Sequence, residues 1–319
     1  MKVNIDSFNN ELPKNAKLFI CSINNEERWS KIALNANLES LQELVVINSG
    51  VEIDSELLSP VRAKYGDRVR LHDLDNKTPI LAWKSLLLNI TSLIEKCDGA
   101  VIFDISTLNK EHVLFIVSQL AAQQLMSKVT FTYVAAKSYG VNTIKGPIWL
   151  TRGVKNIRSV IGFPGGYTPS KNQHHLIILV GFELDRAKEL ILAYEPTSIS
   201  LGIGIEPYID KFQEENQRSM DLIQSFINSL GITYKSLSEF TFSCSDVHSA
   251  KKSILNEVSK FEGSNITISP MNTKVSTAAL GLAAIENEDI KVCYVEPLEY
   301  NKDCYSEVGD TVTVFKLDN

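Results

Sequence analysis

The chain has 319 residues, a formal net charge of −6 and a charged fraction of 22%. This length is enough for two domains, and the acidic balance argues against a role in coating DNA or RNA, which needs a strongly basic face. The five cysteines show no CxxC spacing, and no apolar run reaches the ~18 residues that a membrane span needs. We therefore expect a cytoplasmic protein with no metal centre, no cofactor and no membrane partner.

The first part of the chain alternates apolar strands with helices. Strands are expected at 17–22, 43–48, 69–74, 100–104 and 129–134. Helices are expected to begin near Glu26 and to cover 57–65, 78–97 and 110–126, with Thr78 as a cap and Pro79 in the first turn. Strands that are apolar throughout and alternate with helices indicate a parallel sheet covered on both faces.

Glycine and proline become frequent between Gly140 and His175. We interpret residues 141–173 as a hairpin extension and linker, with short β-like runs at 148–151 and 157–161. The alternation of strands and helices then restarts. Strands are expected at 176–180, 198–203, 234–242, 265–268 and 290–295, and helices from about 185, at 210–230, 246–261 and 276–285. The alternating run 311–316 is typical of an edge strand.

Three segments in the first half resemble three in the second half, in the same order and about 160 residues apart. In the first matched pair, a strand and a loop are followed by an acid–Arg pair, which is Glu27-Arg28 in one half and Asp185-Arg186 in the other. In the second matched pair, a strand is followed by a polar loop with Lys110 or Lys274 and by a helix that ends in Ala-Ala. In the third, Tyr133 matches Tyr294. The pattern indicates a duplicated unit; chance likeness between two α/β domains is the alternative.

The fold class that we predict is therefore α/β, with two tandem Rossmann-like units and mainly parallel sheets. The units are expected at 1–140 and 174–319, on either side of the linker. In open parallel sheets, ligands bind outside the carboxyl ends of the strands. The candidate ligand-binding residues are those that follow the first and fourth strands of each unit: Asn24, Asn25, Arg28, Asp104, Ser106, Thr107 and Lys110, and then Gly181, Glu183, Arg186, Asn272, Thr273 and Lys274.

Lys274 is the leading candidate, because an ammonium group beside Thr273 and a helix N-terminus suits a phosphate. Each candidate also has a structural interpretation. Lys274 could be a solvated lysine at a turn, and Arg28 and Arg186 could form intrahelical ion pairs with Glu or Asp. Asn24 and Asn25 could serve turn chemistry, and Asp104 could cap its own loop.

The strand, the Asn272-Thr273-Lys274 loop and the following helix, together with Gly181 to Arg186, resemble the CRISPR-associated Rossmann fold, or CARF, domain. That family has a loop after its first strand and a Gly-Thr-Lys-type loop after its fourth. Two CARF-like units in one chain resemble the SAVED domain of bacterial antiphage signalling systems. The resemblance implies a nucleotide-type ligand, such as a cyclic oligonucleotide, in one pocket formed by both units. The first half keeps only Thr107 and Lys110, which implies a lopsided pocket.

Three functions are considered on the basis of this resemblance. The first is a sensor in antiphage defence whose ligand-bound state is recognised by an effector or partner protein. The second is a metal-independent phosphodiesterase in the same pocket, with Lys274 and Ser106 as candidates for its chemistry. The third is a non-catalytic interaction protein with a degenerate pocket.

Overall fold

The computed structural model of the protein describes residues 1–50, 52, 55–139, 150–301 and 306–318. It divides into two compact units, Met1–Ser138 with Ser306–Asn319, and Tyr139–Tyr305. The strands are β1 (Lys2–Asn4), β2 (Ala16–Ile23), β3 (Glu43–Asn48), β4 (Val69–Asp73), β5 (Ala100–Asp104), β6 (Val129–Tyr139), β7 (Thr151–Ser159), β8 (His174–Leu179), β9 (Ser198–Ile205), β10 (Ser236–Ser243), β11 (Asn265–Pro270), β12 (Lys291–Tyr300) and β13 (Ser306–Phe315).

The helices fall where the apolar periodicity predicts them. They are α1 (Arg28–Asn35), α2 (Ser55–Tyr65), α3 (Pro79–Leu86), α4 (Ser92–Lys96), α5 (Lys110–Ala122), α6 (Leu184–Tyr194), α7 (Lys211–Ser229), α8 (Val247–Ser259) and α9 (Lys274–Glu286). A π-helical turn, Leu87–Thr91, joins α3 to α4, so the expected long helix is present with one irregular turn. Thr78 caps it as predicted, accepting a hydrogen bond from the Leu81 amide.

The sheet of the first unit has the strand order β1-β13-β6-β5-β2-β3-β4. Strands β2 to β6 are parallel. From β2 the chain crosses through α1 to β3 on one side, whereas from β5 it crosses through α5 to β6 on the other. The direction of winding therefore reverses between β2 and β5, and the loops that follow these two strands lie at the switch point. Apolar side chains of β2, α1 and α2 pack together in this unit, among them Phe19, Trp29 and Leu58.

The sheet of the second unit has the order β10-β9-β8-β11-β12-β7. Strands β8 to β12 are parallel, and β7 runs antiparallel to β12. Its switch point lies between β8 and β11, and Leu176, Ile178, Leu190 and Met220 belong to its core. The two units thus share one order of five parallel strands, and the predicted fold class of two Rossmann-like units is confirmed.

The ends of the chain are arranged differently from the expected boundaries. Strand β13 lies in the first unit between β1 and β6, so 311–316 is neither an edge strand nor part of the second unit. Strand β7 is one continuous strand in the second sheet rather than the start of a linker hairpin. Residues 148 and 149 of the expected hairpin lie outside the described residues. Alternating apolar residues indicate a strand but do not specify which strand it pairs with, which is why both placements were missed.

Each sheet therefore contains one strand that comes, in the sequence, after the last parallel strand of the other unit. We call β7 and β13 the exchanged strands. Strand β7 comes after β6 of the first unit and joins the second sheet, while β13 comes after β12 of the second unit and joins the first. The short strand β1, which pairs antiparallel with β13, was not predicted, because three residues are too few to show a period. Among the described residues, none of the helices is long and apolar enough to cross a bilayer.

Candidate functional site

Asn272 connects three strand ends at the switch point of the second unit. Its Nδ2 donates a hydrogen bond to the Val180 carbonyl, directly after β8, at 2.6 Å. Its Oδ1 accepts from the Thr273 amide at 2.9 Å and from the Cys244 thiol, directly after β10, at 3.3 Å. The side chain thus holds the loop after β11 against the ends of β8 and β10, while remaining partly exposed.

Thr273 and Lys274 form the start of α9. Thr273 is the N-cap: its Oγ1 accepts from the Ser276 amide at 3.2 Å and donates to the Cys244 carbonyl at 2.8 Å. Lys274 is the first residue of the helix and is partly exposed. The ten residues that follow, 275–284, are all buried, and each of them is small or apolar. The placement predicted for Lys274, at a helix N-terminus beside the switch point, is therefore present.

Gly181 lies where the loops after β8 and β11 approach each other. A Cβ built on Gly181 would stand 1.8 Å from the Met271 carbonyl oxygen. Any side chain here would push the two loops apart, so the glycine is required by packing. Gly181 itself is buried.

The corresponding loop of the first unit repeats part of this geometry. Asn109 is the N-cap of α5, accepting from the His112 amide at 2.7 Å, and Lys110 is the first residue of the helix. The Thr107 hydroxyl donates to the Ser22 carbonyl at the end of β2, as Asn272 does to Val180. Lys110 and Lys274 thus occupy equivalent positions, as the repeat predicted.

Asp104 and Ser106 are buried inside the first unit, at 1% and 0% exposure. Asp104 Oδ1 accepts from the Ser106 amide at 2.9 Å and from the Ser106 hydroxyl, and Ser106 Oγ accepts from the Val134 amide at 2.8 Å. This is the loop-capping alternative, and neither side chain presents a surface to a ligand. Burial, with a smaller contribution from the Asp104 charge, raises the pKa of the neighbouring Cys21 thiol well above its usual range.

Arg28 is also buried, at 1% exposure. Its guanidinium pairs with Glu26, with Nε at 3.0 Å, and donates through Nη1 to the Val134 carbonyl at 3.0 Å. Asn24 Nδ2 donates to the other oxygen of Glu26 at 2.8 Å, and Asn24 Oδ1 accepts from the Glu26 amide. Asn24 is therefore part of a turn, whereas Asn25 is exposed.

Arg186 is similarly buried and pairs with Glu183. The two arginines thus form ion pairs, as the structural alternative expected, but with glutamates that precede the helices rather than lie within them. Their partners are Glu26 and Glu183, however, and not the adjacent Glu27 and Asp185 of the sequence motif. An acid one residue before an arginine does not face it on a helix, whereas Glu183 lies three residues before Arg186. Glu26 lies two residues before Arg28, in the loop ahead of α1.

Sequence patterns missed several side chains around these arginines. The Arg28 and Arg186 guanidinium carbons lie 6.0 and 5.5 Å from the ring centres of Tyr133 and Tyr294. The match between these tyrosines in the repeat was the available signal. Phe182, next to Gly181, contacts the rings of Phe212 and Tyr139 at centroid distances of 5.7 Å for both, and no pattern indicated this contact.

The candidates that reach the surface at the carboxyl edges are few. In the first unit they are Asn24, Asn25 and Lys110, and in the second Asn272, Thr273 and Lys274. Two ammonium groups at helix N-termini with amide and hydroxyl groups nearby are chemistry suited to phosphates and nucleotides. In the part of the chain that the structure describes, no group of three or more His, Cys, Asp or Glu side chains is placed to hold a metal.

Comparison with known proteins gives a likeness of fold. No protein-family model matches the chain, and no curated protein matches it. Among solved structures, a Type III CRISPR defence DNA nuclease activated by cyclic oligoadenylate superimposes with a TM-score of 0.51 at 8% identity. The superposition covers 88% of this chain and 65% of the nuclease chain, so this chain spans less than two thirds of that protein's length. The shared fold agrees with the CARF-like resemblance of the sequence.

Proposed function

We propose that the protein is a sensor of a nucleotide-type ligand in antiphage defence, with a cyclic oligonucleotide as the ligand class. The observation that carries this proposal is the position of Lys274, at the N-terminus of α9 and at the switch point of the second unit. A phosphate placed there would meet a positive side chain and the positive end of the helix dipole together. The SAVED-type arrangement, with two CARF-like units in one chain, is part of the same proposal.

Three further observations support it. Asn272 and Thr273 bring amide and hydroxyl groups to the same edge, with positions fixed by bonds to Val180 and Cys244. Lys110 occupies the equivalent position in the first unit. The CRISPR nuclease that shares the fold is activated by a cyclic oligoadenylate.

The phosphodiesterase alternative is weakened by one of its own residues. Ser106 is fully buried and is hydrogen-bonded to Asp104 and to the Val134 amide. It therefore does not contact a ligand at the surface, and a cleavage reaction would have to depend on Lys274 and its neighbours.

A binding experiment tests the proposal. The full chain is incubated with a panel of cyclic di-, tri-, tetra- and hexanucleotides, and binding is measured by calorimetry while chromatography follows the integrity of each ligand. We expect one or more members to bind and to remain intact. Intact binding supports the sensor, loss of ligand supports the enzyme, and no binding by any member contradicts both and favours the interaction protein.

A matched pair of lysine variants then locates the site. Lys274→Ala should weaken binding, whereas Lys251→Ala should not, because Lys251 lies on α8 and pairs with Glu286 at the surface. Equal affinity of the Lys274→Ala variant and the wild-type protein would remove Lys274 from the site.

A further inference from the structure

Each unit contains a cluster in which one buried glutamate joins a buried arginine to a hydroxyl group from the exchanged strand. In the first unit, Glu26 Oε2 accepts from Arg28 and from the Ser306 hydroxyl. Ser306 is the first residue of β13. Asn24 supplies a further hydrogen bond to Oε1 of the same glutamate. We call Glu26, Arg28 and Ser306 the Glu26 cluster.

The second unit has the same arrangement. Glu183 Oε2 accepts from Arg186, and Glu183 Oε1 accepts from the Thr151 hydroxyl. Thr151 is the first residue of β7. We call Glu183, Arg186 and Thr151 the Glu183 cluster. The glutamate precedes the arginine by two residues in one cluster and by three in the other, so the shared geometry does not follow from shared spacing.

In both units the cluster connects three parts of the fold. The glutamate lies in the loop after the first parallel strand, which is β2 or β8. The arginine stacks on a tyrosine of the last parallel strand, β6 or β12, and the hydroxyl belongs to the first residue of the exchanged strand, β13 or β7. The loops are those at the switch points. The strands β13 and β7 are the first strands described after the chain passes from one unit to the other.

We infer that these clusters are coupling elements that link, within each unit, the switch-point loop to the start of the exchanged strand. The physical basis is the buried carboxylate, which is stabilised by several donors at once. Removing the hydroxyl leaves a buried oxygen with one donor fewer, and moving the glutamate with its loop removes the acceptor from the hydroxyl. Displacement of either the loop or the strand end therefore weakens the position of the other.

Hydrogen–deuterium exchange of the ligand-free full chain tests this inference. The variants are Ser306→Ala for the Glu26 cluster and Thr151→Val for the Glu183 cluster, since both remove a hydroxyl and little else. We expect exchange to rise about tenfold in the loop of the same unit, 24–28 or 182–186, far away in sequence from the substitution. The loop of the other unit should keep its wild-type exchange rate.

Two control variants remove surface interactions close to the mutated strand ends. Ser138→Ala removes a hydrogen bond to Glu307, which is the second residue of β13. Lys155→Ala removes an ion pair between β7 and Glu296. Both should leave the loops unchanged. Faster exchange confined to the mutated strand end, with the loop as in the wild-type protein, would overturn the inference, as would equal loop effects of variant and control.

A reciprocal measurement strengthens the test, because coupling acts in both directions. Asn24→Ala removes a donor from Glu26 within the loop and should raise exchange at the start of β13. An unchanged β13 in this variant would contradict the coupling in the first unit.

A second set of exchange measurements, made with a cyclic oligonucleotide present, rests on the proposed function. If a cyclic oligonucleotide binds, it should slow exchange at the loop and at the first residues of β7 in the wild-type protein, but at the loop alone in Thr151→Val. If no member of the panel binds the wild-type protein, the proposed function fails, while the ligand-free arm still decides the coupling.

Discussion

The two units differ most in the loops that follow their fourth parallel strands. In the first unit the loop between Asp104 and Lys110 is largely buried: the side chains of Asp104, Ser106 and Leu108 all lie inside the unit. In the second unit the loop is shorter, and Asn272, Thr273 and Lys274 are all partly exposed. Yet both loops donate one side-chain hydrogen bond to the carbonyl at the end of the first strand. The internal attachment of the loop has thus been kept in both copies, whereas the surface that it presents has diverged.

The largest effects on stability should come from breaking the buried glutamate–arginine pair that both units share. Glu26→Ala and Glu183→Ala each leave a buried guanidinium without its carboxylate, and we expect the free energy of unfolding to fall by about 3–5 kcal/mol. Urea denaturation, with hydrogen exchange to assign the loss to one unit, measures this. A double replacement, Glu26→Leu with Arg28→Met, should recover most of the stability, because the charge of the buried arginine is removed together with that of its partner. A loss of less than 1 kcal/mol in both single variants would show that the pairs are dispensable.

The next largest effect is a dependence of stability on pH that we expect in the second unit and not in the first. His175, at the start of β8, is buried between Ser198 and Ser200, at 2.7 and 2.8 Å, where the first unit has the partly exposed Lys17. Burial lowers the pKa of His175 to about 4, although Glu257 opposes the shift. The unfolded chain, with a histidine pKa near 6.5, therefore binds the proton more readily than the folded chain does.

The stability of the second unit should consequently be complete above about pH 6.5 and fall by about 3 kcal/mol as the pH is lowered to 4. Hydrogen exchange of β8 and β9 between pH 4 and 7, corrected for intrinsic rates, measures this. His175→Gln should flatten the dependence, and His174→Gln, at an exposed neighbour, should not. The same slope in all three proteins would assign the acid sensitivity to other groups.

The proposed ligand site gives a third comparison, between equivalent lysines. Lys274→Ala should weaken binding of a cyclic oligonucleotide by tenfold or more, the loss expected for a charge-assisted hydrogen bond to phosphate. Lys110→Ala should have a smaller effect, because the first unit lacks the Asn-Thr-Lys loop. Calorimetry with the member of the panel that binds most tightly gives both numbers. Equal losses would show that the two units contribute symmetrically.

The smallest effects concern the caps of the helices at the two switch points. Asn109→Ala and Thr273→Ala should each reduce stability by about 1 kcal/mol. Thr273→Ala should cost more, because Thr273 also donates to the Cys244 carbonyl. Thermal unfolding of both variants compares them, and Thr273→Ser, which keeps the hydroxyl, should restore most of the loss. A larger loss in Asn109→Ala would reverse this ranking.

The fold was largely predictable because its signals are local. Apolar runs defined strands such as β3 and β5 to the residue, and Thr78 marked a helix start through its side-chain cap. Pairing across the chain was not predictable in the same way. Strand β13 pairs with β1, from which it is separated by about 300 residues, and lies beside β6, which is also distant in the sequence; no local period records either contact.

The candidate site was predictable in part. The positions of Lys110 and Lys274 were predictable because a polar residue after an apolar strand marks the strand's carboxyl end, and their binding of a ligand stays a prediction. The positions of Arg28 and Arg186 near helix starts were predictable too, but their burial was not, since a charged residue near a helix start is usually solvated. Ser306 and Thr151 carried no signal at all, because their importance comes only from the carboxylates that they meet.

The exchange of sixth strands sets an order for synthesis and folding. Every element of the second unit lies between Tyr139 and Tyr305, whereas the first unit needs 306–315 to pair with β1, as in the register Val3 with Val312. The unit that begins at the N-terminus is therefore the later one to be completed. Until that final strand emerges, β1 and one edge of β6 lack their partner, and such edges pair readily with other chains. A gene shortened before codon 306 should accordingly yield a protein that aggregates through its first unit.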